Sequence, residues 1–475
     1  MSHPKVRVGT AYLLIAQGIF LITSYVLHVT LGRFLGPVEY GLFGVVLYAA
    51  TMVRTFVGSG FPMAVARYVS SEPPRAEAIF RKGLQLQLIL ATGVGLIFFL
   101  SADFLAALLG DPALASLFRV AAPITVFYGV FFLLIQYYNG LRQYRVQSAM
   151  LSIYYVLRAG FAIGLALLGL RVFGAIGGIV GSVAIVALVF LILRKPDEAS
   201  NPFPASTLIK FSMPLLLAAI SQSLLIDIDL MFVKKLVADA PSAGYYTSAK
   251  TMAQITLFAF FALSNALYPA ISSAYSRENT EKLKDYIQQA HRLLLVVILP
   301  LFLLVFWDAA GLIRLFYGSK YLQGAPSLQW LMLSFSLMAL FIIHKTVITG
   351  CGFPKVASVI TLGLLPICVT LHLILIPIHG IVGAAMASTI TSLCGVIVSM
   401  TIIYSKFKVG FMPFSTLRII IAALVIFGLD ILFSGWGVYL LPKLVILALL
   451  YLIVLRLLGE WKLGELRDLF RQFFR

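Results

Sequence analysis

The 475-residue chain is 61% hydrophobic and only 11% charged, with 36 Lys and Arg against 18 Asp and Glu, a net charge of +18. Soluble domains run about 45–50% apolar and about 25% charged, so this composition excludes a soluble globular enzyme, a disordered chain and a nucleic-acid-binding domain. In so apolar a chain the basic excess points first to membrane topology and then to an anionic substrate.

Apolar runs long enough to cross a bilayer, bounded by charge or by Pro/Gly clusters, predict fourteen spans. In chain order they are 10–31, 40–62, 83–102, 119–139, 147–169, 172–193, 207–233, 244–269, 291–309, 326–350, 356–377, 380–403, 416–435 and 439–457. At about 20 residues each, fourteen spans need roughly 280 residues and leave short loops. The runs are too long, and alternate too weakly, for barrel strands of about ten residues. The expected fold class is therefore an all-α polytopic membrane protein. The first run follows a short basic segment, Met1 to Thr10, and is too long for a signal-peptide core, so it is read as a retained helix. Cys351, Cys368 and Cys394 all lie in apolar segments and are expected to pack inside helices.

Lys and Arg crowd the connections on one side, from Lys5 and Arg7 through Arg81, Arg194 and Lys406 to the tail. The other side holds few, among them Arg33, Arg119, Lys234 and Lys443. This asymmetry predicts a cytoplasmic-membrane protein with both termini in the cytoplasm. Most of the +18 thereby reports orientation and not substrate.

Three motifs recur in order at an offset of about 206 residues. Gly41-Leu-Phe-Gly44 opens the second span and Gly244-Tyr-Tyr-Thr247 the eighth; Asn139-Gly140 ends the fourth and Thr349-Gly350 the tenth. Gly174-Ala-Ile-Gly177 opens the sixth and Gly380-Ile-Val-Gly383 the twelfth. Two parallel six-helix repeats are expected, 1–205 and 206–412, because an even helix number keeps both in one orientation. The seam at 194–207 is polar and proline-rich. Two further helices and a tail fill 413–475. The tail places Trp461, Leu466, Phe470 and Phe473 at helical spacing among basic residues, as an interfacial amphipathic helix would. A second surface helix is expected over 278–290.

An ionisable group at bilayer depth costs several kcal/mol unless it faces protein or water. Arg54, Arg158, Lys250 and Lys345 lie inside predicted spans, and neither Arg54 nor Arg158 has an acid in its own span. Unpaired cations in a water-filled cavity suit an anion: Arg forks onto phosphate oxygens, and Lys acts as a point charge. For Lys250 and Lys345 the competing reading is snorkelling to the interface. His28 lies near the end of the first span, with Arg33 just beyond. Asp227 and Asp229 are two residues apart and point about 200° from one another on a helix, so they cannot jointly hold one small ion. They are candidates for structural pairing, one of them with Lys250, or for Na⁺ or H⁺ coupling. His28, His344 and His372 are read as helix–helix contacts, with a proton relay as the alternative. There is no G-x-x-x-x-G-K-[ST] loop, no H-E-x-x-H and no clustered Cys/His site, so no enzymatic activity and no cofactor is expected.

Leu35-Gly36-Pro37-Val38-Glu39-Tyr40-Gly41, between the first two spans, resembles the first-loop signature of the polysaccharide-flippase branch of the multidrug/oligosaccharidyl-lipid/polysaccharide exporter superfamily, the Wzx-like proteins. Asp227-Ile-Asp229 followed by Gly244-Tyr245-Tyr246-Thr247-Ser248-Ala249 is similar to that family's helix seven–eight pattern, and Leu267-Tyr268-Pro269-Ala270 to its close of helix eight. The resemblance covers nearly the whole chain. It implies two lobes forming a V-shaped cavity and alternating access. It implies translocation of a polyprenyl-phosphate- or pyrophosphate-linked oligosaccharide for surface polysaccharide or glycoconjugate synthesis. Basic residues of helices one, two, seven and eight would meet the phosphates, which carries over best to Arg54 and Lys250 and less directly to His28 and Arg33. The lipid II flippase of the same superfamily carries more arginine in helix one than this chain, and the drug exporters usually have twelve helices. Expected partners are the lipid-linked sugar, membrane lipids and a polysaccharide polymerase or glycosyltransferase, with no nucleic acid. The alternatives are a cation-coupled small-molecule exporter and a non-transporting scaffold of a glycan polymerase complex.

Overall fold

The computed structural model describes residues 4–194, 196, 202–433 and 440–460, and these are helical with no strand among them. The seam and the tail expected from the sequence fall largely outside the described residues. Nine helical stretches among the described residues are long and apolar enough to cross a membrane, and three of these are too long to be single passes. Helix α1 (Pro4–Ser59) has 56 residues. Straight, it would extend about 84 Å, against a hydrocarbon core of about 30 Å.

Each over-long stretch is broken by one glycine with left-handed backbone: Gly36 (φ 74°) in α1, Gly169 (φ 98°) between 144 and 193, and Gly380 (φ 56°) between 354 and 407. Glycine alone takes such φ values at no steric cost. Contacts show that the arms fold back. The Tyr40 hydroxyl lies 2.9 Å from His28 Nδ1, although twelve residues of straight helix would hold them about 18 Å apart. A Cβ on Gly178 would lie 2.6 Å from Ala162 N, and one on Gly383 would lie 2.0 Å from the Leu375 carbonyl oxygen. Each stretch is therefore a hairpin of two passes, and the described residues form an all-α membrane-spanning fold.

The described chain forms two compact units, 1–247 and 248–475. The first contains α1, α2 (Phe61–Ser71), α3 (Ala76–Leu100), α4 (Ala102–Leu109), α5 (Ala113–Ala121), α6 (Ile124–Gly140), α7 (Tyr144–Leu165), α8 (Arg171–Leu193), α9 (Ala205–Asp227) and α10 (Asp229–Leu236). Helix α7 packs on α1 and α8, and α6 on α2, α3 and α8. At one end the buried Glu77 carboxylate binds Arg194 and Arg81, and the Arg194 guanidinium lies 4.0 Å from the Phe80 ring centroid. Within this unit the segments around Gly41 and Gly244 touch. A Cβ on Gly244 would lie 1.9 Å from the Pro37 carbonyl oxygen, and one on Gly44 would lie 2.3 Å from Thr247 Oγ1.

Helix α11 (Ser242–Ala253) leads into the second unit, which holds α12 (Ile255–Ser276), α13 (Thr280–Tyr317), α14 (Ala325–Gly350), α15 (Pro354–Phe407), α16 (Pro413–Leu432) and α17 (Leu440–Leu457). Helix α14 packs on α12, α13 and α15. The last two helices attach to α13 through Val296, Ile419, Ile426, Leu447, Tyr451 and Leu455, and the Tyr451 hydroxyl donates to the Val296 carbonyl at 2.9 Å.

Four details differ from the sequence reading. Residues 280–290 are not a separate surface helix but the polar start of α13, because Asn279 accepts from Lys282 N and begins one 38-residue helix there. The seventh span carries a local irregularity between Asp227 and Asp229, where Ile228 keeps helical angles (φ −71°, ψ −24°) and the i,i+4 bonds from Ile228 N to Leu224 O and from Phe232 N to Ile228 O continue the helical path. Lys443 is not a loop residue: it is buried in α17, with Nζ 2.6 Å from both Asp308 and Asp430. By structural role Gly174, whose Cβ would meet Leu165, corresponds to Gly383 against Leu375 and not to Gly380, because a close backbone approach, not a sequence triplet, is what the fold repeats.

Candidate functional site

Two of the cations singled out by the sequence, Arg54 and Arg158, share one environment in the first unit. Arg54 projects from the second arm of α1, and its guanidinium carbon lies 4.7 Å from the centroid of the Tyr128 ring on α6. Arg158, in α7, is 8% exposed. Its guanidinium carbon lies 5.5 Å from the Phe20 centroid and 6.0 Å from that of Tyr155. Both guanidiniums approach Tyr154, whose ring packs on Phe131 with centroids 4.9 Å apart. Tyr154 and Tyr155 stand four and three residues before Arg158, so helical geometry places all three on one face.

No carboxylate joins this cluster among the described residues. The acids of the first unit that form ion pairs, Glu39, Glu72, Glu77, Asp103 and Asp111, bind other cations. Nε and Nη2 of Arg158 are buried without a hydrogen-bond partner. Orphaned polar atoms of this kind are rare in folded proteins and ask for a ligand, ion or water. Cation–π contacts supply about 0.5–2 kcal/mol each. Burying a charge costs several kcal/mol even after relaxation, so the aromatic rings do not offset the buried Arg158 guanidinium, with the half-buried Arg54 adding a second positive charge beside Tyr154. An anion with several oxygens would restore the balance, because guanidinium forks can bind such a group bidentately.

The other sequence-derived candidates lie elsewhere. His28 is close enough to feel the Arg158 charge, but its Nδ1 is engaged with the Tyr40 hydroxyl across the first hairpin. Arg33 is exposed at that hairpin. Lys250 is fully buried in α11, and Lys345 sits in α14 with Nζ 5.5 Å from the Phe341 ring centroid; both belong to the second unit. The Asp229 carboxylate accepts from the Tyr246 hydroxyl at 2.7 Å and from Leu230 N at 2.8 Å, and the Ser223 hydroxyl reaches Asp227 at 3.5 Å. The sequence reading did not include Phe20, Tyr128, Tyr154 or Tyr155. The Tyr-Tyr-x-x-Arg spacing at 154–158 was the available signal for two of them.

A family model described as "Polysaccharide biosynthesis protein" matches residues 30–326, well over half of the chain and the whole Arg54–Arg158 region. The chain belongs to the polysaccharide biosynthesis protein family. Its fold is that of the multidrug/oligosaccharidyl-lipid/polysaccharide transporters. The solved lipid II flippase MurJ, in an inward closed conformation, superposes with a TM-score of 0.78 at 14% identity, covering 98% of this chain and 100% of that one. An inward-facing MATE family multidrug resistance transporter gives 0.66 at 17% identity, covering 84% and 99%. A superfamily transporter from Pyrococcus furiosus, described as having a binding pocket of reverse polarity, gives 0.62 at 18%, covering 86% and 100%. Identities this low establish the fold of this family member and leave its substrate to the site. An uncharacterized membrane protein, MJ1068, of Methanocaldococcus jannaschii is 26% identical over 148 residues, 31% of this chain; the match spans 29% of that relative's length.

Proposed function

We propose that this multi-pass membrane protein is a flippase that carries a polyprenyl-phosphate- or pyrophosphate-linked oligosaccharide across the cytoplasmic membrane by alternating access, for surface polysaccharide or glycoconjugate synthesis. The observation that carries this reading is the Arg54–Arg158 pair, two guanidiniums without a carboxylate among aromatic rings. The guanidiniums suit the phosphate oxygens, and the tyrosine faces suit the apolar faces of sugar rings. The family description supports the polysaccharide context. Partners in this reading are the lipid-linked sugar and the polymerase or glycosyltransferase that handles it. Lys250 and Lys345 are proposed as further contacts along the path.

The test is flipping of a fluorescent polyprenyl-diphosphate-linked sugar in proteoliposomes, read with a membrane-impermeant quencher. Arg54→Ala and Arg158→Ala should each slow flipping by about 10- to 100-fold, the equivalent of one lost hydrogen-bonded charge contact, with Arg54→Lys intermediate. Undiminished flipping in both alanine variants would refute the assignment of these residues to the anion.

A further inference from the structure

A second buried polar array lies in the second unit, apart from the Arg54–Arg158 cluster. It joins His291 on α13, His344 on α14 and Ser399 on α15, which are 1%, 0% and 0% exposed. His291 Nε2 and His344 Nε2 are 2.9 Å apart, and His344 Nδ1 is 2.8 Å from Ser399 Oγ. Ser399 Oγ in turn donates to the Gly395 carbonyl at 2.7 Å.

The protons of this chain can be placed by counting. A serine hydroxyl has one proton, and the bond to Gly395 uses it. Ser399 Oγ therefore accepts from His344 Nδ1–H. A neutral imidazole carries one proton, so His344 Nε2 is bare and accepts from His291 Nε2–H. That leaves His291 Nδ1 as a bare lone pair. It is buried and has no hydrogen-bond partner. Phe411 covers the ring, with centroids 4.6 Å apart. The charged groups next in sequence are Arg292 on α13, which binds Glu460 at 2.5 Å with Arg418 beyond, and Lys345 on α14, whose Nζ lies 5.5 Å from the Phe341 ring centroid. Ser399 is what α15 presents. His291 stands where the polar start of α13 gives way to its apolar run.

We propose that the His291–His344 pair is a proton-binding site. The incoming proton bonds to Nδ1 of His291, and the resulting imidazolium keeps its Nε2–H bond to His344, now charge-assisted and stronger. Proton binding thereby tightens the junction of α13 with α14 and, through Ser399, with α15. As the means by which a proton gradient biases transport, the site rests on the flippase reading; as a proton site it stands alone.

The decisive measurement is ¹⁵N NMR of histidine-labelled full-length protein in nanodiscs, titrated from about pH 8 down to about pH 3.5, because a buried imidazole gives up its charge more readily than a solvated one. Coupling across the nitrogen–nitrogen hydrogen bond assigns the pair in the wild type without any variant. At the alkaline end His291 Nδ1 and His344 Nε2 should both read as unprotonated, and on acidification His291 Nδ1 should gain its proton first. Dye-detected uptake over the same range should fall by one proton per chain in His291→Gln. The reverse order of protonated nitrogens, or a His291 Nδ1 that never titrates, would overturn the site. In the flipping assay an imposed pH gradient should accelerate the wild type and not His291→Gln. An equal response in both would remove the coupling role and leave the site. Absence of any flipping would count against the transport reading, while the NMR result would still decide the site.

Discussion

At the scale of single residues, solvation governs what each group can do. Arg158 was legible as a charge at membrane depth, because any cation in an apolar run of that length must be compensated. Its aromatic surroundings were legible only in part: Tyr154 and Tyr155 share its helix face, whereas Phe20 and Tyr128 come from α1 and α6. The cysteines follow the same logic. Cys351 is 1% exposed, just past the end of α14, and burial pushes its thiol up to about 11. At pH 8 only about one thiol in a thousand is then the reactive thiolate. Maleimide at pH 7–8 should leave Cys351 unmodified in the folded protein and label it after denaturation in SDS, as read by mass spectrometry; rapid labelling of the native protein would contradict the burial.

At the scale of elements, glycine decides where rods become hairpins. The apolar runs indicated two spans on either side of Gly36, Gly169 and Gly380. Hydropathy cannot show that the arms then pack backbone against backbone, since that depends on which small residues face one another after the turn. Gly383 is the sharpest case, because the clash an alanine would make is with a carbonyl oxygen and not with a side chain that could rotate away. Gly383→Ala should destabilise the protein by about 2–3 kcal/mol, the upper range for overpacking. Gly428→Ala, in α16 with open space at the Cβ position, should be neutral or slightly stabilising. Melting of the two variants in detergent provides the comparison. The helices beyond the repeat are anchored by a different device. Lys443 was read as a loop charge because it lies near the end of its run; burial beside Asp308 and Asp430 makes it the counter-charge that ties α17 to α13 and α16.

At the scale of the whole molecule, the lopsided distribution of Lys and Arg predicts orientation, and fourteen helices place both ends of the chain on the same side. Reporter fusions at residue 1 and residue 475 should both be active on the cytoplasmic side, and a tag in the connection near Arg33 should be accessible from the opposite side. A fusion pair reporting opposite sides would require a different helix count. Fold similarity to a lipid II flippase and to multidrug transporters shows how one architecture serves different cargo, with the polarity of a few side chains making the difference.

The sequence by itself determined the helix count, the places where apolar runs break and the presence of cations needing compensation. Each of these follows from one-dimensional quantities: run length against bilayer thickness, backbone freedom, and charge within an apolar stretch. Only the tertiary structure decided which cations are compensated. It gave Lys443 two carboxylates, left Arg54 and Arg158 with aromatic faces alone, and joined three helices through His291, His344 and Ser399. Compensation is a matter of a few ångströms between side chains far apart in the chain, and no local pattern encodes that distance.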